Sequence, residues 1–199
     1  MSAEHLGALV LFAFVASVTP GPNNLMLLTS GVNFGFRRTI PHMLGIGLGF
    51  TFMIAVVGFG IGEVLAYAPG VYTALKYGGG AYMLWLAVKL ARAGPLGPKG
   101  AETGNPLPFW EAAAFQWVNP KAWVMAVSAI AAYTTPADHT RSVLIVALAF
   151  GIVNLPSVSV WALFGSAMSA TLRDPARARV FNTVMAVLLV ASLAPILFE

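Results

Sequence analysis

The stretch Thr19–Asn24, TPGPNN, interrupts an otherwise apolar N-terminal run, and the interpretation of the whole chain starts from it. A proline removes a backbone donor and clashes with the carbonyl one turn back, so a helix entering this stretch is predicted to break. A simple kink needs one proline, whereas this stretch has two around a glycine, followed by two amides. The pattern therefore predicts a functional helix break rather than a simple kink.

The composition of the chain predicts that this break lies in a lipid bilayer. Of its 199 residues, 58% are hydrophobic and only 9% are charged, and the mean hydropathy is +0.80. Soluble domains have about 25% charged residues, so this chain cannot cover a water-facing surface. The absence of cysteine excludes disulfides and thiolate metal sites, and we predict no metal or cofactor. The net charge of +4 forms no patch suited to nucleic acid.

The predicted fold is an all-α integral membrane protein with six transmembrane helices. A spanning helix takes about 20 mostly apolar residues. The stretches that qualify are His5–Phe34, Ile40–Tyr67, Val71–Ala91, Phe109–Tyr133, Ser142–Thr171 and Ala178–Phe198. The first has no basic region ahead of it, so we interpret it as a retained span rather than a signal peptide.

Lysine and arginine are distributed unevenly between the two sides of these spans. Those on one side are Arg37, Arg38, Lys89, Arg92, Lys99, Arg173, Arg177 and Arg179, whereas Arg141 alone lies on the other. Because basic connections stay in the cytoplasm, both termini are predicted to be periplasmic or extracellular.

The chain divides into two halves at a connection rich in glycine and proline. We predict a first three-span repeat over residues 1–92, a cytoplasmic linker over 93–108 and a second three-span repeat over 109–199. An odd number of spans in each half inverts the second half relative to the first, as in inverted-repeat transporters. The second half has its own break in its first span, at Gln116–Lys121, QWVNPK.

Each break should start a new half-helix near the middle of the membrane. Pro22 and Pro120 suit the first helical position, and Asn119 is a predicted N-cap. Such starts expose free N–H groups and the positive end of a helix dipole, which together favour an anionic group such as a carboxylate. The candidate substrate-binding residues are Pro20, Gly21, Pro22, Asn23, Asn24, Asn119, Pro120, Lys121 and Asn154.

Lys121 and Asn154 are the two candidates whose roles have clear alternatives. A lysine deep in a span is expensive and usually functional, but it could also pair with a carbonyl for packing alone. Asn154 precedes Pro156 near the centre of the fifth span, where a structural kink is the favoured explanation. No carboxylate lies near mid-span, since Glu63 and Glu111 are close to span ends, so Lys121 is the candidate for carrying a coupled proton.

The chain resembles the lysine/homoserine/threonine exporter family, the LysE-type amino-acid translocators. The stretches TPGPNNLMLLTSGVNFGFRRT, LGIGLGF, KYGGGAYMLWLAVKLAR and FQWVNPKAWVMAV are similar to that family's first four segments in the same order. The resemblance implies a homodimeric exporter of amino acids or close derivatives in the bacterial inner membrane, driven by the proton or membrane gradient. Carried over, the family's motif positions fall on Pro20, Gly21, Pro22, Asn23, Asn24, Asn119, Pro120 and Lys121.

One departure from that family bears on the substrate. Many relatives carry an aspartate within the segment that here reads GIGLGFTF, where this chain has Gly49 and Phe50 and no acid. We therefore expect neutral substrates, small or apolar, moved by alternating access between the two halves.

A passive small-solute channel remains an alternative. An intramembrane enzyme is disfavoured, because the sequence has no HExxH, no GxSxG and no pair of mid-span aspartates.

Overall fold

The computed structural model describes residues 1–61, 69–92 and 105–191, and within these the chain is helical apart from short connections, with no strand. The helices are α1 (Ala3–Val18), α2 (Pro22–Val56, extended by a π-helical turn at Val57–Ile61), α3 (Pro69–Ala91), α4 (Phe109–Phe115), α5 (Pro120–Tyr133), α6 (His139–Met168) and α7 (Pro175–Ala191). Short 3₁₀ turns lie at Gln116–Val118, Pro136–Asp138 and Thr171–Arg173. The all-α class is confirmed. Glu63 and residues 93–104 of the predicted linker lie outside the described residues.

Among the described residues, two helical segments, Pro22–Gly60 and Pro136–Met168, are long and apolar enough to cross a membrane. Helix α1 is apolar but only 16 residues long. The fourth predicted span is divided by a break, and the sixth continues into residues that the structure does not describe. The number of spans therefore stays a prediction.

Helix α2 consists of two helices joined at Gly35. The Gly35 backbone has φ 76° and ψ 165°, which favours glycine and interrupts the helix. The hydroxyl oxygens of Ser30 and Thr39 are 2.9 Å apart, although a straight helix would separate residues nine positions apart by about 13 Å. The chain thus turns sharply at the boundary between the first two predicted spans.

Helices α2 and α6 form the centre of the molecule and approach each other through glycines. A Cβ added to Gly31 would lie 2.1 Å from the Ala162 carbonyl oxygen, and one added to Gly165 would lie 2.1 Å from the Leu28 carbonyl oxygen. Small residues allow such backbone contact between membrane helices. This contact holds α6 against the half-helix that follows the first break.

Helix α4 packs on the second part of α2 in the same manner. A Cβ at Gly45 would lie 2.4 Å from the Phe109 carbonyl oxygen, and one at Gly49 would lie 2.6 Å from the Ala113 Cα. On the next position of α2, the Phe50 ring meets the Phe150 ring edge-on, with centroids 5.6 Å apart. These contacts place the second break next to the first.

Helix α6 runs through Pro156 without a residue of non-helical conformation. Two serine hydroxyls on this turn bond back to their own helix, Ser157 to Val153 O at 2.7 Å and Ser159 to Leu155 O at 2.6 Å. The interruption in the fifth predicted span is therefore not a break, unlike the other two.

Candidate functional site

The first break lies between α1 and α2, at Thr19–Gly21, where the backbone is extended. Neither Pro20 nor Pro22 has an N–H group, so the carbonyl oxygens of Ala16 and Val18 lose the donors that a continuous helix would supply. Buried carbonyl groups need other partners, which must come from side chains or water.

Side chains from three other helical segments supply donors to this end of α1. Asn24 Nδ2 donates to Ser17 O at 2.9 Å and to Thr19 O at 2.7 Å. Trp161 Nε1, from α6, donates to Val18 O at 3.2 Å. Lys121 Nζ, from α5, donates to Thr19 O at 2.6 Å and to Pro20 O at 3.2 Å. These hydrogen bonds stabilise the extended backbone of the first break, so Asn24 and Lys121 both have a structural role there.

The second break separates α4 from α5. It consists of the 3₁₀ turn Gln116–Val118 and the extended Asn119. The Asn119 side chain accepts from the backbone N–H of Lys121 at 3.1 Å, which confirms the predicted N-cap, and Pro120 takes the first helical position. The indole N–H of Trp123 donates to Trp117 O at 2.9 Å, a hydrogen bond that ties α5 to this 3₁₀ turn.

The two breaks are in direct contact. Asn23 Nδ2 donates to Gln116 Oε1 at 2.8 Å, and Gln116 Nε2 donates back to Asn23 Oδ1 at 3.2 Å. Gln116 is fully buried and also donates to Ala112 O at 2.9 Å. It was not among the predicted site residues, although its position within the QWVNPK motif, as an amide in an apolar segment, is a signal that could have identified it.

The start of α2 has no side-chain cap, whereas the start of α5 has one. The N-cap of α2 is Gly21, which has no side chain to accept from the first N–H groups, whereas Asn119 already caps α5. The Lys121 side chain lies over Gly21, since an added Cβ there would be 2.8 Å from Lys121 Cδ and 3.2 Å from Nζ. An ammonium has three donors, and the structure shows two of those of Lys121 bonded to carbonyls.

Most of the predicted site residues line one small pocket, which opens to the outside and has a cavity volume of about 20 Å³. Those that line it are Gly21, Pro22, Asn23, Asn24, Asn119, Lys121 and Asn154. The remaining lining residues, which were not predicted, are Ala16, Ser17, Phe50, Ala122, Met125 and Val158. Pro20 and Pro120 start or flank the breaks without lining the pocket. Among the described residues of this lining, Lys121 is the one that is charged, and none is a carboxylate.

The fold and the site together define an all-α membrane protein in which two helix breaks meet at a polar pocket. The family model for LysE type translocators matches residues 14–194, and the chain belongs to that family. Similar proteins include the cysteine/O-acetylserine efflux proteins of Escherichia coli strains UTI89 and HS and of Shigella sonnei strain Ss046. Each is 31% identical over 192 residues, which covers 96% of this chain and 96% of the relative. No solved structure matches the chain.

Proposed function

We propose that this protein is a secondary transporter that exports small neutral amino acids or their close derivatives from the cytoplasm by alternating access. The observation that carries the proposal is the contact between the two helix breaks around a pocket whose described lining has one cationic side chain and no carboxylate. Membership of the LysE-type family supports amino-acid export.

The substrate carboxylate is proposed to bind between the start of α2 and the ammonium of Lys121. A helix start combines free N–H groups with the positive end of the helix dipole, and Gly21 leaves those N–H groups without a capping side chain. The third donor of Lys121 completes the anion site. As the carboxylate binds, it competes with the carbonyls of Thr19 and Pro20 for the same ammonium.

The neutral substrate class follows from what lines the pocket. A second positive charge on the substrate would find no carboxylate among the described lining residues, which include the apolar Phe50. The relatives named above are described as exporters of cysteine and O-acetylserine, whose side chains are uncharged. We propose that this chain exports compounds of the same class, with uncharged side chains, and we assign it no individual compound.

The proposal also includes the arrangement in the membrane. Residues 1–92 and 109–199 form two inverted three-span repeats joined by the linker 93–108, with both termini periplasmic and the protein in the bacterial inner membrane as a homodimer. The distribution of basic residues supports this orientation, and the family resemblance supports the dimer. Proton coupling through Lys121 is proposed because it is the titratable side chain among the described residues that line the pocket.

An export assay with a panel of compounds tests the function. Cells loaded with cysteine, O-acetylserine, other neutral amino acids and lysine should lose the neutral compounds faster when they produce this protein than with an empty vector. In proteoliposomes, unlabelled substrate should drive counterflow of labelled substrate, which a channel cannot do. Export of lysine in preference to the neutral compounds, or no counterflow, would contradict the proposal.

Gly21→Ala is predicted to reduce export about tenfold or more without unfolding the protein. The new Cβ would lie 2.8 Å from Lys121 Cδ, and a flexible side chain can move away from it. The displaced ammonium then leaves the anion site, and a hydrogen bond to a charged group contributes roughly 1.5–3 kcal/mol. The measurement is the initial export rate, normalised to the amount of inserted protein.

The control for this variant is Gly7→Ala, because a Cβ at Gly7 would meet nothing within 4 Å. Gly7→Ala should export at the wild-type rate, and both variants should melt close to the wild type. Unchanged export by Gly21→Ala would show that the position of Lys121 over Gly21 does not matter for transport.

A further inference from the structure

Asn154 on α6 presents an amide oxygen that lacks a donor. Its side chain is 4% exposed, and its Nδ2 donates to the Ser17 hydroxyl oxygen on α1 at 3.1 Å. Its Oδ1 is buried and has no hydrogen-bond partner among the described residues. A buried acceptor without a partner costs about 1–3 kcal/mol, so this oxygen needs an explanation.

The pocket explains this unpaired oxygen, because Asn154 lines the pocket together with Lys121. Two other amide oxygens of the lining are committed, since Asn23 Oδ1 accepts from Gln116 and Asn119 Oδ1 caps α5. The third amide, Asn24, is held by its Nδ2 at the carbonyls of the first break, and unlike that of Asn24, the Asn154 oxygen is both buried and unpaired. The pocket therefore combines a donor group at Lys121 with a free acceptor at Asn154. An α-amino acid carries the complementary pair, a carboxylate and an ammonium.

We propose that Asn154 Oδ1 accepts a hydrogen bond from the α-ammonium of the substrate and makes transport depend on a free amino group. This inference rests on the proposed function and adds a specificity-determining residue to it. Ser17 is the positioning residue, because its hydroxyl oxygen accepts from Nδ2 and so leaves Oδ1 as the unpaired atom of the amide.

A packing role alone does not account for this asparagine. Helix α6 keeps helical geometry through this turn, and the carbonyl that Pro156 leaves without a donor, that of Ile152, is an acceptor that Asn154 Oδ1 cannot serve. An apolar residue of similar shape would fill the space without burying an unpaired oxygen, at the loss of one hydrogen bond to Ser17 that contributes about 0.5–1.5 kcal/mol.

Binding measurements on the purified protein test the inference with cysteine and mercaptopropionate, which is cysteine without its amino group. The wild type should bind cysteine about 10- to 100-fold more tightly, since a hydrogen bond to a charged group has that effect. In Asn154→Leu the affinity for cysteine should fall by that factor and the affinity for mercaptopropionate should stay the same, so the preference disappears. Titration calorimetry in detergent under reducing conditions gives both affinities.

Two variants complete the test. Asn154→Asp has the same shape and keeps an acceptor at this position, so it should retain the preference for cysteine even if Asn154→Leu proves unstable. Ser157→Ala removes a buried hydroxyl that bonds only within α6 at 2.7 Å and does not line the pocket, so it should keep the wild-type preference.

A preference for cysteine that survives in Asn154→Leu, or one that is lost in Asn154→Asp, would overturn the role of Asn154. If the wild type transports amino acids in the panel assay and this preference does not respond to Asn154, only the present inference fails. If the wild type binds neither compound and exports nothing, the proposed function fails with it.

Discussion

Lys121→Ala is expected to reduce export at least about a hundredfold. The variant removes the single charged group that lines the pocket, and with it the donor that completes the proposed carboxylate site. A buried cation facing an anion contributes several kcal/mol when one partner is removed, which corresponds to such a factor. The initial export rate of the best substrate in the panel is the quantity to measure.

The structural role of Lys121 has to be separated from this effect. Its ammonium also donates hydrogen bonds to the carbonyls of Thr19 and Pro20 at the first break. Lys121→Ala is therefore expected to lower the stability of the folded protein as well. Lys121→Gln is the matched variant, because it keeps N–H donors within reach of those carbonyls but has no charge. It should melt close to the wild type and export as poorly as Lys121→Ala.

Export by Lys121→Gln at the wild-type rate would show that transport does not need the charge. The role of this lysine would then be only to stabilise the first break. Lys121→Arg addresses proton coupling separately, because arginine stays charged at all relevant pH values. If Lys121→Arg supports normal proton-linked transport, Lys121 does not carry the coupled proton.

Gly165→Ala is expected to be the most destabilising of the single-methyl changes considered. The new Cβ would lie 2.1 Å from the Leu28 carbonyl oxygen, which belongs to the backbone and cannot move away as a side chain can. Overpacking a tight interface typically costs 1–3 kcal/mol, and about 3 kcal/mol or more is expected where α2 and α6 must separate. The melting temperature in detergent and the monodisperse fraction in size-exclusion chromatography report the loss.

Gly31→Ala should behave in the same way, because its Cβ would lie 2.1 Å from the Ala162 carbonyl oxygen in the same interface. Gly78→Ala on α3 is the control, since a Cβ there would meet nothing within 4 Å. Wild-type melting of Gly165→Ala would mean that α2 and α6 are further apart than the structure places them.

The parts of the site that the sequence predicts well are those governed by neighbours in the chain. Proline breaks a helix through its own ring and its missing N–H group, so both breaks could be located from the sequence. The N-cap at Asn119 and the helix start at Pro120 follow from the same short-range geometry.

The partners of these residues depend on contacts that are distant in the chain. Asn23 and Gln116 are 93 positions apart, and no local pattern indicates that their amides pair. The sequence predicts that Asn24 and Lys121 bind substrate, and it does not indicate the bonds that both make to carbonyls of the first break. Which donors a broken helix recruits is decided by packing, so it could not be derived from proline positions alone.

The fifth predicted span differs from the two spans that are broken. The sequence favours a structural kink at Pro156 over a substrate site, and α6 remains helical through it. Its close packing against α2, at Gly31 and Gly165, keeps the helix in place. A proline in a packed helix therefore need not open a site, and Asn154 reaches the pocket from an unbroken helix.

A structure determined with a transported amino acid bound is the most direct test of the central claim. The account predicts the substrate carboxylate within about 2.7–3.2 Å of Lys121 Nζ and of the first N–H groups of α2, between the two breaks. A carboxylate found elsewhere, with Lys121 still bonded only to the carbonyls of Thr19 and Pro20, would contradict it.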